Sequence, residues 1–230
     1  MPEHETVEIA GSLLAARIEP ARGARIASLH WRPQASELLA VKGYVFALDP
    51  GPPPRGLAEG FRVIDVSAGH VEMECEPSPG LFLRTRYAIV EDLLFVRHRA
   101  ENRGTTCLPL EPFTRAAWRL DAFGPAPRLV PRGLDMRWHE RPLLPEGAGQ
   151  VEVQLAEFDR PAGAWRLAGA RLQLEETFSV DFVSATRLEV SRPDGVAVLG
   201  LHFKSHDLRP GTSRVFDTGW QVSEERNGKR

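Results

Sequence analysis

The amino-acid sequence predicts an all-β protein, one large antiparallel β-sandwich. Apolar and polar residues alternate with a period of two through residues 81 to 102. Twenty glycines and nineteen prolines interrupt the chain at close intervals. No stretch sustains a 3.6-residue period for the length of an amphipathic helix.

The elements follow in order. TVEIA runs into a turn at Gly11, and LLAARIEP and ARIASLHW lie on either side of Gly23. FRVIDVS and HVEMECEP are separated by Ala68-Gly69. LFLRTRYAI places Leu81, Leu83, Thr85, Tyr87 and Ile89 on one face, and LLFVRHRAEN places Leu94, Val96, His98 and Ala100 on one face. With Glu91-Asp92 between them, these two runs read as a β-hairpin, in which His98 is expected as a satisfied core histidine. VEVQLAEF, AWRLAG, RLQLEETFSV, TRLEVS, VAVLGLHF and RVFDTGWQV are further strands, with Asp194-Gly195 as a hairpin turn. Two stretches read as loops. Residues 48 to 56 hold four prolines, and residues 121 to 148 are rich in proline and glycine and long enough to suggest a lid. A dozen or so strands, each with a wet and a dry face, call for two stacked sheets. The 230 residues fit a single domain, 1–230, with 223–230 expected as a flexible tail.

The chain is 42% hydrophobic and 26% charged, with a formal net charge of -2. That balance argues against nucleic acid as a partner. No apolar run is long enough to span a membrane, and the N-terminal residues do not read as a secretory signal, so a cytoplasmic location is expected. Cys75 and Cys107 are too few for a disulfide framework and are expected as small buried hydrophobes. Phosphate-cradling and nucleophile motifs are missing, and no cofactor is expected.

Four stretches together resemble the galactose mutarotase-like (aldose 1-epimerase) superfamily: GARIASLHW at 23–31, RGLAEGFRVIDV at 55–66, LRTRYAIVEDLLFVRHRAENRG at 83–104 with CLPLEPF after it, and LRPGTSRVFDTGW at 208–220. The resemblance implies a supersandwich with a concave sugar-binding face and a small-molecule partner, a sugar or sugar phosphate. It also implies an activity, interconversion of sugar anomers by a histidine acid and a glutamate base. The sequence departs from that set. Arg115 stands at or near the place of one histidine, Arg55 at the place of another, and the stretch 198–207 contains no glutamate. Arginine donates hydrogen bonds but not protons near neutral pH.

His202 and Glu111 are therefore the acid–base candidates, and Arg55, Arg115, Trp118, Lys204 and His206 the sugar-binding candidates. Each has a plainer alternative. His202, Lys204 and His206 alternate on one face of a strand-like run, which is either a solvated face or a basic patch facing a sugar or phosphate. Trp118 is either an aromatic plate for a sugar or a core residue, since i and i+3 lie on opposite sides of a regular strand. Arg55 is either a rim contact or a solvated loop arginine. No metal site is expected, because His202 and His206 lack a third ligand nearby. The functional expectation is carbohydrate binding, with anomer interconversion if acid and base are both present. The alternative is a noncatalytic sandwich acting through protein–protein contacts.

Overall fold

The computed structural model describes residues 6–48, 60–133, 135–143, 150–154 and 162–224. The first strands are β1 (Val7–Ala10), β2 (Leu14–Glu19), β3 (Arg25–Trp31), β4 (Ser36–Glu37), β5 (Leu39–Ala47), β6 (Arg62–Val66) and β7 (His70–Ser78). Then come β8 (Leu81–Val90), β9 (Leu93–Asn102), β10 (Leu108–Leu110), β11 (Phe113–Arg119), β12 (Arg128–Pro131) and β13 (Arg141–Pro142). The last are β14 (Gln150–Gln154), β15 (Ala164–Ala168), β16 (Leu172–Phe178), β17 (Val183–Ser191), β18 (Val196–Phe203), β19 (His206–Leu208) and β20 (Ser213–Glu224). Among the described residues the only helical pieces are two short 3-10 turns.

The strands form two nine-stranded antiparallel sheets. One has the order β1-β2-β3-β5-β11-β18-β17-β14, with β4 beside β3, and the other β13-β12-β15-β16-β20-β9-β8-β7-β6. A small pair, β10 with β19, stands apart from both. The alternation read from the sequence sets the inward faces. Leu83, Thr85 and Tyr87 from β8, with Leu94, Val96 and His98 from β9, are buried, while Arg84, Arg86, Arg97 and Arg99 point outward.

Three aromatic contacts join the sheets through the core. The Tyr44 hydroxyl on β5 and His98 Nε2 on β9 are hydrogen-bonded at 2.9 Å. Tyr87 on β8 donates to the Ala24 carbonyl at 2.7 Å. Trp118 on β11 meets Trp220 on β20 edge to face, 4.8 Å between ring centroids. Beside them lies Glu176 of β16, fully buried. Its carboxylate accepts from the indoles of Trp165 at 2.5 Å and Trp220 at 3.0 Å, and from the Thr218 hydroxyl at 3.3 Å.

The fold corrects several expectations. The span 121–148 is not one loop: it contains a 3-10 turn at Leu120–Phe123 and strands β12 and β13. The expected tail at 223–230 begins too early, because Ser223 and Glu224 belong to β20 and pair with Gln173 and Leu172. The run from His202 to His206 is not one strand. β18 ends at Phe203, and His206 opens β19, which pairs with β10. Cys75 is half-buried and Cys107 exposed, so neither is the fully enclosed residue expected. β5 was not anticipated at all. Its Gly43 has φ +59°, and a Cβ there would lie 2.2 Å from the Ile26 carbonyl oxygen, so β3 and β5 can meet only where a side chain is missing. The stretch 48–56 lies outside the described residues beyond Leu48.

Two buried titrating groups oppose one another. Burial raises Glu176 from 4.5 to about 7, outweighing its three donors, and burial lowers His98 from 6.5 to about 3. A raised acid stabilises the fold below its unfolded pKa, and that contribution is lost as pH rises through the folded value. A depressed base stabilises above its unfolded pKa and loses that contribution on acidification. Between pH 5 and 6.5 the two slopes have opposite sign, each about 2 kcal/mol across the window. Urea unfolding at several pH values is therefore expected to show stability falling with acid in Glu176→Gln and rising with acid in His98→Gln. Parallel slopes in the two variants would refute this assignment.

Candidate functional site

The outer face of the first sheet carries a hollow of about 1160 Å³. Residues from β2, β3, β5, β11, β18 and β17, six adjacent strands, line it. Strands lie about 4.8 Å apart, so the hollow crosses about 24 Å of sheet. The sandwich leaves it charged. Strand alternation sends Ala116 and Trp118 of β11 inward and leaves Arg115, Ala117 and Arg119 facing out.

Next to the hollow is a niche of about 80 Å³ lined by Phe113, Arg115, Arg187, Glu189, Val198, Gly200 and His202. Glu189 and Val198 line both spaces, so the two adjoin. The strand register builds the niche row by row. Phe113, His202 and Ala185 sit abreast, then Arg115, Gly200 and Arg187, then Ala117, Val198 and Glu189. Gly200 is the floor. A Cβ on it would lie 3.8 Å from both Arg115 Cγ and Arg187 Cβ and 3.2 Å from the Thr114 carbonyl oxygen. A Cβ would crowd the Thr114 carbonyl oxygen and only touch the two arginine stems. Arg115 donates from one Nη to both carboxylate oxygens of Glu189, at 2.8 and 2.7 Å. The His202 ring stacks on Phe113, 5.9 Å between centroids. Burial, then the positive charges of Arg187 and Arg115, lower the His202 pKa. The imidazole is thus held neutral near pH 7, a proton acceptor among hydrogen-bond donors.

Of the residues expected at the site, the structure brings together Arg115 and His202. Trp118 is corrected to a core residue: it is 0% exposed, stacked on Trp220, and has no face to offer a ligand. Glu111 is exposed between β10 and β11, with its N–H bonded to the Leu48 carbonyl, and lines neither space. Lys204 lies past the end of β18 with its N–H bonded to the Phe182 carbonyl, and His206 is exposed on β19. Neither lines the niche or the hollow. Arg55 lies outside the described residues. The sequence reading missed Arg187, Glu189 and Gly200. TRLEVS alternates so that Arg187 and Glu189 share a face, but nothing in the sequence aligns that face with Arg115. Among the described residues no group of three or more His, Cys, Asp or Glu could hold a metal.

No protein-family model matches the sequence, and no curated protein matches it. Solved structures do match in shape. The galactose mutarotase related enzyme from Lactobacillus acidophilus superposes with a TM-score of 0.74 at 9% identity, covering 98% of this chain and 100% of that one. A galactose mutarotase-like protein from Lactobacillus casei gives 0.73 at 12%, covering 95% and 100%. The GalM/aldose epimerase homologue from C. elegans gives 0.60 at 16%, covering 97% and 100%. This is the galactose mutarotase-like fold. At these identities the likeness establishes the architecture and not the chemistry.

In a titration followed by NMR, the His202 imidazole is expected to protonate below pH 6.5. Arg187→Gln and Arg115→Gln are each expected to move that midpoint upward. A midpoint unchanged by both substitutions would mean the guanidinium groups do not act on the ring.

Proposed function

We propose that this chain binds a carbohydrate on the outer face of its first sheet. Arg115, Arg187 and Glu189 hold hydroxyl groups, and His202 acts as the proton acceptor. One observation supports this above the others: four hydrogen-bonding side chains from three adjacent strands converge over Gly200 in a space open to the large hollow. Two forked donors and one carboxylate acceptor suit vicinal hydroxyls, each of which both donates and accepts. A protein-contact face filled with apolar side chains would have favoured a noncatalytic module, and the lining here is charged. The outer face of the second sheet is where that alternative finds support, in a depression of about 560 Å³ lined by Phe95, Phe182 and Val215.

Interconverting anomers needs a proton taken from the C1 hydroxyl and a proton given to the ring oxygen as the bond between C1 and that oxygen breaks. Rotation about C1–C2 and closure on the other face then regenerate the ring. His202 can take the first proton. The arginines cannot supply the second, and Glu189 is engaged by Arg115 through both oxygens. The only donor left for the ring oxygen is the protonated His202 itself. Binding is accordingly the firmer part of the proposal, and turnover rests on one imidazole serving both steps.

Titration calorimetry with a panel of mono- and oligosaccharides tests binding. Arg115→Ala is expected to weaken the affinity about tenfold or more, the worth of a charge-assisted hydrogen bond. No heat with any saccharide would remove the proposal. Polarimetry on α-glucose and α-galactose tests turnover. Rates equal to buffer would limit the protein to binding for those sugars, and any acceleration is expected to disappear in His202→Ala.

A further inference from the structure

Charge in the large hollow is unevenly satisfied. Its five lining carboxylates all have partners. Glu19 pairs with Arg25 at 2.7 Å, and Asp121 with Arg119 at 2.6 Å. Glu189 is held by Arg115, and Asp194 accepts from the Ser191 hydroxyl at 2.5 Å. Glu37 accepts from the Ser28 hydroxyl at 2.5 Å and from the backbone N–H groups of Leu29 and Leu39 at 3.0 and 2.9 Å. The lining cations are different. Arg25 and Arg119 are the partners just named. The side chains of Arg17 on β2, Lys42 on β5 and Arg192 in the turn after β17 have no hydrogen bond or ion pair among the described residues. All three are exposed to the same hollow.

We infer that the wide part of the hollow is an anion-recognising subsite, in which Arg17, Lys42 and Arg192 bind acidic groups of an extended carbohydrate. This builds on the carbohydrate proposal and names its substrate class: a chain of more than one ring bearing carboxylate, sulfate or phosphate groups, with one ring reaching the niche at His202.

Three features support that class. Three like charges facing one concave space repel one another unless an anion is placed among them, and concave walls focus the resulting field. The niche alone, about 80 Å³, is small, whereas the adjoining hollow of about 1160 Å³ leaves room for several further rings. Along β18 the His202 row and the Val196 row are six residues apart, about 20 Å, which a single ring does not span. No aromatic side chain lines the wide part, so a neutral chain would find no stacking plate there, and its hydroxyls would leave the charge of the three cations uncompensated. The anionic groups supply what the unpaired cations lack.

The test compares maltotriose, tri-galacturonate and a sulfated trisaccharide by titration calorimetry at low and high salt, on the wild type and on the triple variant Arg17→Ala, Lys42→Ala, Arg192→Ala. All three positions are exposed and unpaired, and circular dichroism verifies that the variant folds. The expected result is at least one acidic trisaccharide bound about tenfold or more tightly than maltotriose. That preference is expected to shrink as salt rises and to vanish in the triple variant, while maltotriose affinity stays the same. The two acidic ligands separate carboxylate from sulfate recognition. Equal affinity for neutral and acidic trisaccharides would overturn the subsite and leave the carbohydrate proposal standing, as would a preference that survives the triple substitution. Binding of none of the three would remove both.

Discussion

The two sheets are held in register by polar side chains that have no water to turn to. Tyr44 and His98 bridge the gap and Tyr87 reaches the backbone before β3, while within the second sheet two indoles and a hydroxyl converge on Glu176. In a low-dielectric interior each such group costs free energy if its partner is missing, so the arrangement admits few alternatives. A slip of one residue in β9 would turn His98 outward and leave Tyr44 unpaired, and the same slip in β20 would remove Trp220 from both Glu176 and Trp118. Buried polar bonds thus specify the register more sharply than the surrounding leucines and valines, which tolerate repacking.

The site depends on this register, because the outer face of the first sheet is the reverse side of the same strands. Tyr44, Phe46, Trp118 and Leu199 are claimed by the core, so their neighbours, one residue away, must face outward. Those neighbours include Ala117, Arg119, Val198 and Gly200, and buried Ala116 turns Arg115 outward in the same way. The row Arg115–Gly200–Arg187 exists only while β11, β18 and β17 keep their pairing. The aromatic mass of the protein is consumed by the interior, and the ligand-facing side is left with guanidinium, carboxylate and imidazole groups. The outer face of the first sheet in this galactose mutarotase-like fold therefore presents charged and hydrogen-bonding groups, with the Phe113–His202 stack at one end.

Much of the architecture was legible in the sequence. Period-two alternation and turn residues identified the hairpin of β8 and β9, the Asp194-Gly195 turn and the last strand, and the core position of His98 followed from its apolar neighbours. β5 was hidden because Gly43 and the bulge opposite Ala116 and Trp118 break its alternation. The site was harder to read. Which residues share a strand face is local information, but which faces lie side by side is set by long-range pairing. Arg187 is 72 positions beyond Arg115 and still its neighbour across Gly200. His206 looked like a companion of His202 because a continuous strand was assumed through residues 204 and 205, where the chain leaves the first sheet to pair with β10. Trp118 was assigned to the sugar by residue type, although its spacing of three from Arg115 already placed it on the other side.

The niche also bears on what chemistry survives when an acid–base pair is not kept. Burial first, and then the permanent charges of Arg187 and Arg115, keep the imidazole of the one histidine in the niche unprotonated. The two guanidinium groups cannot donate protons near neutral pH, and with burial they bias the imidazole toward accepting. A site so arranged favours ligands that bring acidic hydroxyls or anionic groups to it and disfavours a protonated intermediate on the ring nitrogen, because imidazolium would face Arg115 and Arg187 at close range. Recognition gains from the same electrostatics that make proton return to the sugar costly. Under the proposed function, the charge balance of the niche and the side chains of Arg17, Lys42 and Arg192 favour binding of an acidic carbohydrate over its turnover.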